Sequence, residues 1–140
     1  MSIYSSVLSK DEMRLIEIGP GSGDDDIKCR LLVTRRETLP VYRALSYVWG
    51  TSSAKRRILC NDIPVDIGEN LFQALRQLRE DDHNELLWAD AICINQADNA
   101  DKSAQVRIMD EIYKNARLVI AWLGPVEDST PKAFEYIRKI

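Results

Sequence analysis

The stretch "LLWADAICINQAD", residues 86–98, starts as an apolar strand and continues as a run of small polar side chains. Asp90, Cys93, Asn95 and Gln96 fall within seven positions, between apolar neighbours. A short apolar run bounded by turn signals is typical of a buried strand. We therefore predict a strand over residues 86–91 with its body at 86–89, so that the polar groups lie at or beyond its carboxyl end.

Helical and strand patterns alternate around this stretch. The spacing of apolar residues predicts helices near 69–78 and over 101–116 and a strand over 118–123. Pro131, which suits a first turn, predicts a last helix from about residue 129 to the end. Such alternation indicates a parallel sheet with helical crossovers. The first half reads instead as strands at 13–18, 27–34 and 43–49 and a hairpin, 57–60 with 63–67, whose turn is Asn61–Asp62. We predict an α/β fold, a partly parallel sheet flanked by helices with an N-terminal β-rich extension or hairpin.

Length and composition limit the classes of protein that the chain can belong to. Its 140 residues, 45% hydrophobic and 29% charged, are typical of one globular domain, 1–140. The net charge of −3 gives no indication of nucleic-acid binding, and no apolar run reaches the roughly 20 residues of a membrane span. Three separated cysteines and one histidine argue against disulfides and against a metal site and favour a cytoplasmic location. Because the last predicted helix reaches the final residue, we expect the domain to be the N-terminal part of a longer protein.

The end of the 86–91 strand is where a ligand would be expected. In open parallel sheets, ligands bind beyond the carboxyl ends of the strands. Asp90, Asn95 and Gln96 lie there. On the helix that follows, Gln105 falls on the stripe that faces the sheet, together with Ile112 and Ala116, and Asp101 falls near the margin of that stripe. Four of them also have a purely structural interpretation: Asp101 as a helix-capping acid, and Asp90, Asn95 and Gln96 as hydrogen-bonding partners for the backbone of the turn. We expect the helix start to be exposed, so that Asp101→Asn changes stability by under about 1 kcal/mol.

Four segments resemble a known family. "YRALSYVWG" (42–50), "LWADAICINQAD" (87–98), "QVRIMDEIY" (105–113) and "VIAWLG" (119–124) are similar to the successive motifs of the fungal heterokaryon-incompatibility (HET) domain. The resemblance covers nearly the whole chain, with all four motifs in order. The family pattern usually has a glutamate before the lysine of the third block, where this chain has Asp101 before Lys102.

The resemblance implies a role in fungal non-self recognition, in which incompatible fusion leads to programmed cell death. HET domains have been likened to Toll/interleukin-1 receptor (TIR) domains, which have a flavodoxin-like fold and include NAD-cleaving enzymes and oligomerising adaptors. It also implies partners: self-association, and trigger domains or proteins of the same pathway. No bound cofactor is expected, and NAD enters only as a candidate substrate.

Two functions from different classes follow from this resemblance. In the first, the domain cleaves NAD or a related nucleotide, with Asp101 or Asp90 stabilising the oxocarbenium-like state. Asn95, Gln96 and Gln105 would then hold ribose hydroxyls or amides, and Ser46, Tyr47 and Trp49, at the end of another strand, would form the pocket wall. In the second, the domain is a non-enzymatic death-signalling module that acts by self-association.

Overall fold

Strands and helices are spread along the whole of the chain that the structure describes. The computed structural model describes residues 2–47, 54–122 and 134–137. The strands in chain order are β1 Glu12–Ile18, β2 Lys28–Arg35, β3 Arg43–Ser46, β4 Lys55–Cys60, β5 Ile63–Gly68, β6 Glu85–Trp88, β7 Leu118–Trp122 and β8 Phe134–Ile137. The helices are α1 Glu69–Leu78, α2 Asp90–Cys93, α3 Asn99–Arg107 and α4 Met109–Asn115, with a short 3-10 turn at Arg36–Thr38. None of these helices exceeds ten residues, about half the length of a membrane span.

All eight strands form one mixed sheet in the order β5-β4-β2-β1-β6-β3-β7-β8. β6, β3 and β7 are parallel neighbours, as the alternating pattern predicts. β1 pairs antiparallel with both β6 and β2, so the N-terminal strands continue the parallel part of the sheet. This arrangement confirms the predicted α/β fold with a partly parallel sheet, flanking helices and a β-rich N-terminal extension.

β1 lies near the centre of the sheet and is covered on both faces. Four consecutive residues, 13–16, are buried, which is the pattern of a strand packed on each side. The predicted helix stripe is also confirmed, since Gln105, Ile112 and Ala116 are all buried. α3 and α4 therefore pack against the sheet, and they carry the residues of the 101–116 region toward the end of β6.

Three predicted boundaries differ from the structure. The predicted final helix is wrong over Phe134–Ile137, which forms a strand antiparallel to β7. The strand at 86–91 ends at Trp88 because Asp90–Cys93 turns into the short helix α2. The helix predicted over 101–116 is two helices, since Ile108 has a non-helical backbone at φ −104° and ψ 7°.

The hairpin turn between β4 and β5 has both central residues in the left-handed region. Asn61 has a φ of 54° and Asp62 a φ of 63°, and their neighbours Cys60 and Ile63 pair directly. Two positive φ values fit the type I′ turn that two-residue hairpins prefer. The second central position of this turn favours glycine.

Replacing Asp62 with glycine is expected to raise the free energy of unfolding by about 0.5–1 kcal/mol, because the left-handed conformation strains a residue that has a Cβ atom. Urea denaturation would measure the change. Asn61→Gly is the matched control and should give no gain, because Asn61 Oδ1 accepts a hydrogen bond of 3.0 Å from the backbone N–H of Leu31. A less stable Asp62→Gly protein would contradict the turn assignment.

Candidate functional site

A pocket of about 180 Å³ opens beyond the carboxyl ends of two parallel strands. Tyr47 lies directly after β3, and Ala91, Ile92 and Gln96 come from the segment after β6. The opposite wall is formed by the N-terminal segment, the β4–β5 hairpin and α1, through Tyr4, Lys55, Val65, Ile67 and Leu71. The pocket therefore occupies the position that the sheet topology predicts for a ligand site.

Asp90 brings a negative charge to this end of the sheet. It is half-buried, and its charge acts on two tyrosines. Burial first, and then Asp90, raise the pKa of Tyr47 well above its usual value, and the same two causes raise the pKa of Tyr113 to about 12. The Tyr47 hydroxyl is buried and has no hydrogen bond of normal geometry. At neutral pH both tyrosines therefore stay protonated, and the buried Tyr47 hydroxyl interacts with the Asp90 side chain.

Asn95 and Gln96 hold the turn after α2 in place. The Gln96 Nε2 donates a hydrogen bond of 2.9 Å to the Asp90 carbonyl oxygen. The Asn95 Oδ1 accepts one of 3.2 Å from the backbone N–H of Ala97. These contacts match the purely structural role predicted as the alternative for both amides. Gln96 also lines the pocket, so it is the one of the pair placed to touch a ligand.

Asp101 is engaged in a buried ion pair with Arg14 of β1. Arg14 Nη1 and Nη2 donate hydrogen bonds of 2.9 Å and 3.1 Å to the two carboxylate oxygens of Asp101. The two side chains are only 3% and 7% exposed. The backbone N–H of Asn95 donates a further bond of 2.8 Å to Asp101 Oδ2. The expectation that this side chain lies on an exposed helix start is therefore wrong, because a strand from the first half of the chain covers it.

The capping function predicted near the start of this helix belongs to Asp98. Its Oδ1 accepts hydrogen bonds from the backbone N–H groups of Ala100 and Asp101, at 3.0 Å and 3.2 Å. Asp98 is thus the N-cap of α3, and its side chain satisfies two donors that a helix start leaves free.

Gln105 lies away from the pocket. It is 3% exposed, its Nε2 is 3.5 Å from the Glu12 carbonyl oxygen, and with Asp101 it lines a separate cavity of about 450 Å³. Ser46 is half-buried at the end of β3, paired with Ala121 of β7. The structure thus divides the candidate residues into Tyr47, Gln96 and the neighbouring Asp90 on one side, and Asp101 and Gln105 on the other. Trp49 lies outside the described residues.

Two residues of the site were not among the candidates. Tyr4 lines the pocket, and its hydroxyl donates a hydrogen bond of 2.6 Å to the carbonyl oxygen of Ile92 and lies 3.2 Å from that of Ile94. Arg14 lies 5.0 Å from the Tyr4 ring centroid and also binds the Cys93 carbonyl oxygen at 3.1 Å. Both fix the segment after β6. The available signal was an arginine inside the apolar run MRLIEI, which indicates a buried and partnered charge.

Comparisons with known proteins agree with the motifs. The family model described as heterokaryon incompatibility protein (HET) matches residues 42–140. Heterokaryon incompatibility protein 6, OR allele, of Neurospora crassa is 37% identical over an alignment of 154 residues. The alignment covers 98% of this chain and 23% of that protein. The chain thus spans about a quarter of the length of this relative. No solved structure matches. On the family model and this relative together, the chain belongs to the heterokaryon-incompatibility (HET) family.

Proposed function

We propose that this chain is an effector domain of fungal non-self recognition that triggers programmed cell death by cleaving NAD or a related nucleotide. The relative's name supports the incompatibility role. The observation that carries the enzymatic part is the pocket beyond β3 and β6, which Tyr47 and Gln96 line and beside which the Asp90 charge lies. A concave site with a few convergent polar groups is the usual form of a small-molecule site.

The chemistry requires one negative charge near the sugar carbon. As the bond between C1′ and the nicotinamide nitrogen breaks, the electron pair leaves with nicotinamide and positive charge develops on the ribose. A carboxylate at this point stabilises the oxocarbenium-like state. Water then forms the new C1′–O bond and releases a proton to solvent. We assign the carboxylate to Asp90 rather than Asp101, because Asp90 lies beside the pocket next to Tyr47, whereas Asp101 is buried in an ion pair with Arg14 and lines a separate cavity.

The other pocket residues have matching roles. Tyr47 forms part of the pocket wall, and its hydroxyl, which interacts with Asp90, can hold that carboxylate in place. Lys55, exposed at the rim, can bind a phosphate oxygen of the nucleotide. A volume of about 180 Å³ is smaller than a typical drug-sized site. We therefore expect the pocket to hold the nicotinamide riboside end, with the rest of the nucleotide lying across the rim.

Asp90→Asn is expected to lower NAD cleavage by about 10²-fold or more, because the amide keeps the shape of the side chain and removes its charge. Free nicotinamide would be measured at high protein concentration. Asp98→Asn is the matched control, since asparagine caps a helix as well as aspartate does, and it should keep wild-type activity. The proposal fails if the wild-type protein releases no nicotinamide, or if Asp90→Asn cleaves as fast as wild type with an unchanged melting temperature.

The same variants distinguish cleavage from signalling by self-association alone. If the domain kills by cleavage, cells that express Asp90→Asn should survive. If it kills only by assembly, Asp90→Asn should still kill. Charge reversal of Arg107, which is exposed on the outer face of α3, should then abolish killing instead.

A further inference from the structure

A cluster of potential metal ligands lies at the opposite end of β6 from the pocket. The segment from Glu80 to Glu85 links α1 to β6 and carries four carboxylates and the single histidine in six residues. Glu80, His83 and Glu85 each offer one ligating atom, and these three atoms lie within 4.8 Å of one another. In a tetrahedral zinc site, ligating atoms are about 3.4 Å apart. Small side-chain rotations would therefore bring these three around one ion.

The histidine ring is already oriented as in a metal site. His83 Nδ1 lies 2.6 Å from Asp82 Oδ1, and Nε2 lies 2.8 Å from Glu85 Oε1. Both ring nitrogens are thus at hydrogen-bond distance from a carboxylate, and a divalent ion that takes the place of the proton between Nε2 and Glu85 would leave the Nδ1 proton donated to Asp82. Metal-bound histidines commonly donate their other ring N–H to a carboxylate in this way.

The backbone around the cluster is anchored. The Arg79 guanidinium is buried and donates hydrogen bonds to the carbonyl oxygens of Gly23, Asp25 and Asp26. The backbone N–H of Gly21 donates one of 2.9 Å to the Glu80 carbonyl oxygen. Glu85 begins β6, where its Oε2 lies 3.2 Å from Arg43 and its Oε1 faces His83. The ligands thus extend from a fixed loop and a strand end.

We infer that Glu80, His83 and Glu85 form a three-ligand site for a divalent transition-metal ion, with zinc as the best match and Asp82 as the residue that orients the imidazole. One nitrogen and two oxygen ligands with a fourth position for water are a zinc coordination set, whereas magnesium and calcium prefer oxygen ligands alone. Sequence rules for zinc sites look for paired cysteines or histidines, and this ligand set contains neither. Because the cluster is remote from the pocket, bound metal would clamp the α1–β6 connection and would take no part in cleavage.

The test is zinc titration of the purified protein, freed of any affinity tag, by isothermal calorimetry. One zinc ion per chain is expected, with a higher melting temperature, and cobalt substitution should give the visible absorption of a tetrahedral site. His83→Ala should abolish this binding, and Asp82→Asn should weaken it by about 10–100-fold. Asp81→Asn removes the same charge from the same segment outside the cluster and should change the affinity by less than about twofold.

Any of three results would overturn the site. The wild-type protein could bind no zinc. His83→Ala could bind zinc as tightly as wild type. Alternatively, Asp81→Asn could weaken binding as much as Asp82→Asn, which would mean that zinc is attracted only by the general negative charge of the segment.

Discussion

Replacing Trp88 with alanine is expected to lower the free energy of unfolding by about 3–5 kcal/mol, the usual loss for a large-to-small change in a packed core. Trp88 is the last residue of β6 and is fully buried. Its indole ring meets Tyr113 edge-on, with centroids 5.3 Å apart and planes at 77°. The substitution would leave a cavity between the sheet and α4. Since domains are stable by only about 5–15 kcal/mol, the variant should also lose activity by unfolding.

Trp88→Phe is the matched control for this experiment. The indole N–H of Trp88 is buried and has no hydrogen-bond partner in the described part of the chain, so phenylalanine removes no hydrogen bond and keeps most of the apolar volume. It should cost much less than alanine. Chemical denaturation followed by far-UV circular dichroism would compare the variants, because this signal does not depend on the lost tryptophan. Native-like stability of the alanine variant would mean that β6 is wrongly placed.

Local patterns predicted those parts of the fold in which neighbouring residues decide the structure. The Asn61–Asp62 turn was predicted from its two residues, and its backbone has the expected positive φ values. The stripe through Gln105, Ile112 and Ala116 was predicted from helical spacing and is buried. In both cases the signal and the structure lie within a few residues of each other.

Prediction failed where distant pairing decides the structure. Residues 134–137 were assigned to a helix on the strength of a proline in a first turn, but they pair with β7 at the edge of the sheet. A segment this short fits either a helix or a strand by periodicity. The available sheet edge decided in favour of the strand, since pairing there satisfies backbone groups of both strands.

The candidate site shows the same difference between local patterns and contacts of distant residues. Tyr47 and Gln96 come from segments that follow two strands, and they were predicted to share a pocket because ligands bind beyond the carboxyl ends of parallel strands. The environment of Asp101 depends on Arg14, 87 positions earlier, and no local pattern links the two. A buried arginine in β1 therefore changes how Asp101 can be tested, because a substitution there affects folding before it affects any chemistry.

Breaking the Arg14–Asp101 pair from either side is expected to cost about 3–5 kcal/mol, since each change leaves a buried charge without its partner. Arg14→Met leaves the buried Asp101 carboxylate without its charged partner, and Asp101→Asn leaves the guanidinium of Arg14 without its charged partner. Arg30→Met, which removes the exposed partner of Glu17, is the control and should cost at most about 1 kcal/mol. Thermal and urea denaturation would rank the three variants.

The double variant Arg14→Met/Asp101→Asn should recover most of the loss. It removes both charges, and the asparagine oxygen can still accept the hydrogen bond that the Asn95 N–H donates to Asp101. If the double variant is as unstable as the worse single variant, the losses arise from packing rather than from an unpaired charge. If it recovers stability and also cleaves NAD at the wild-type rate, then Asp101 supports the turn without acting in catalysis. That result would leave Asp90 as the carboxylate on which the proposed reaction depends.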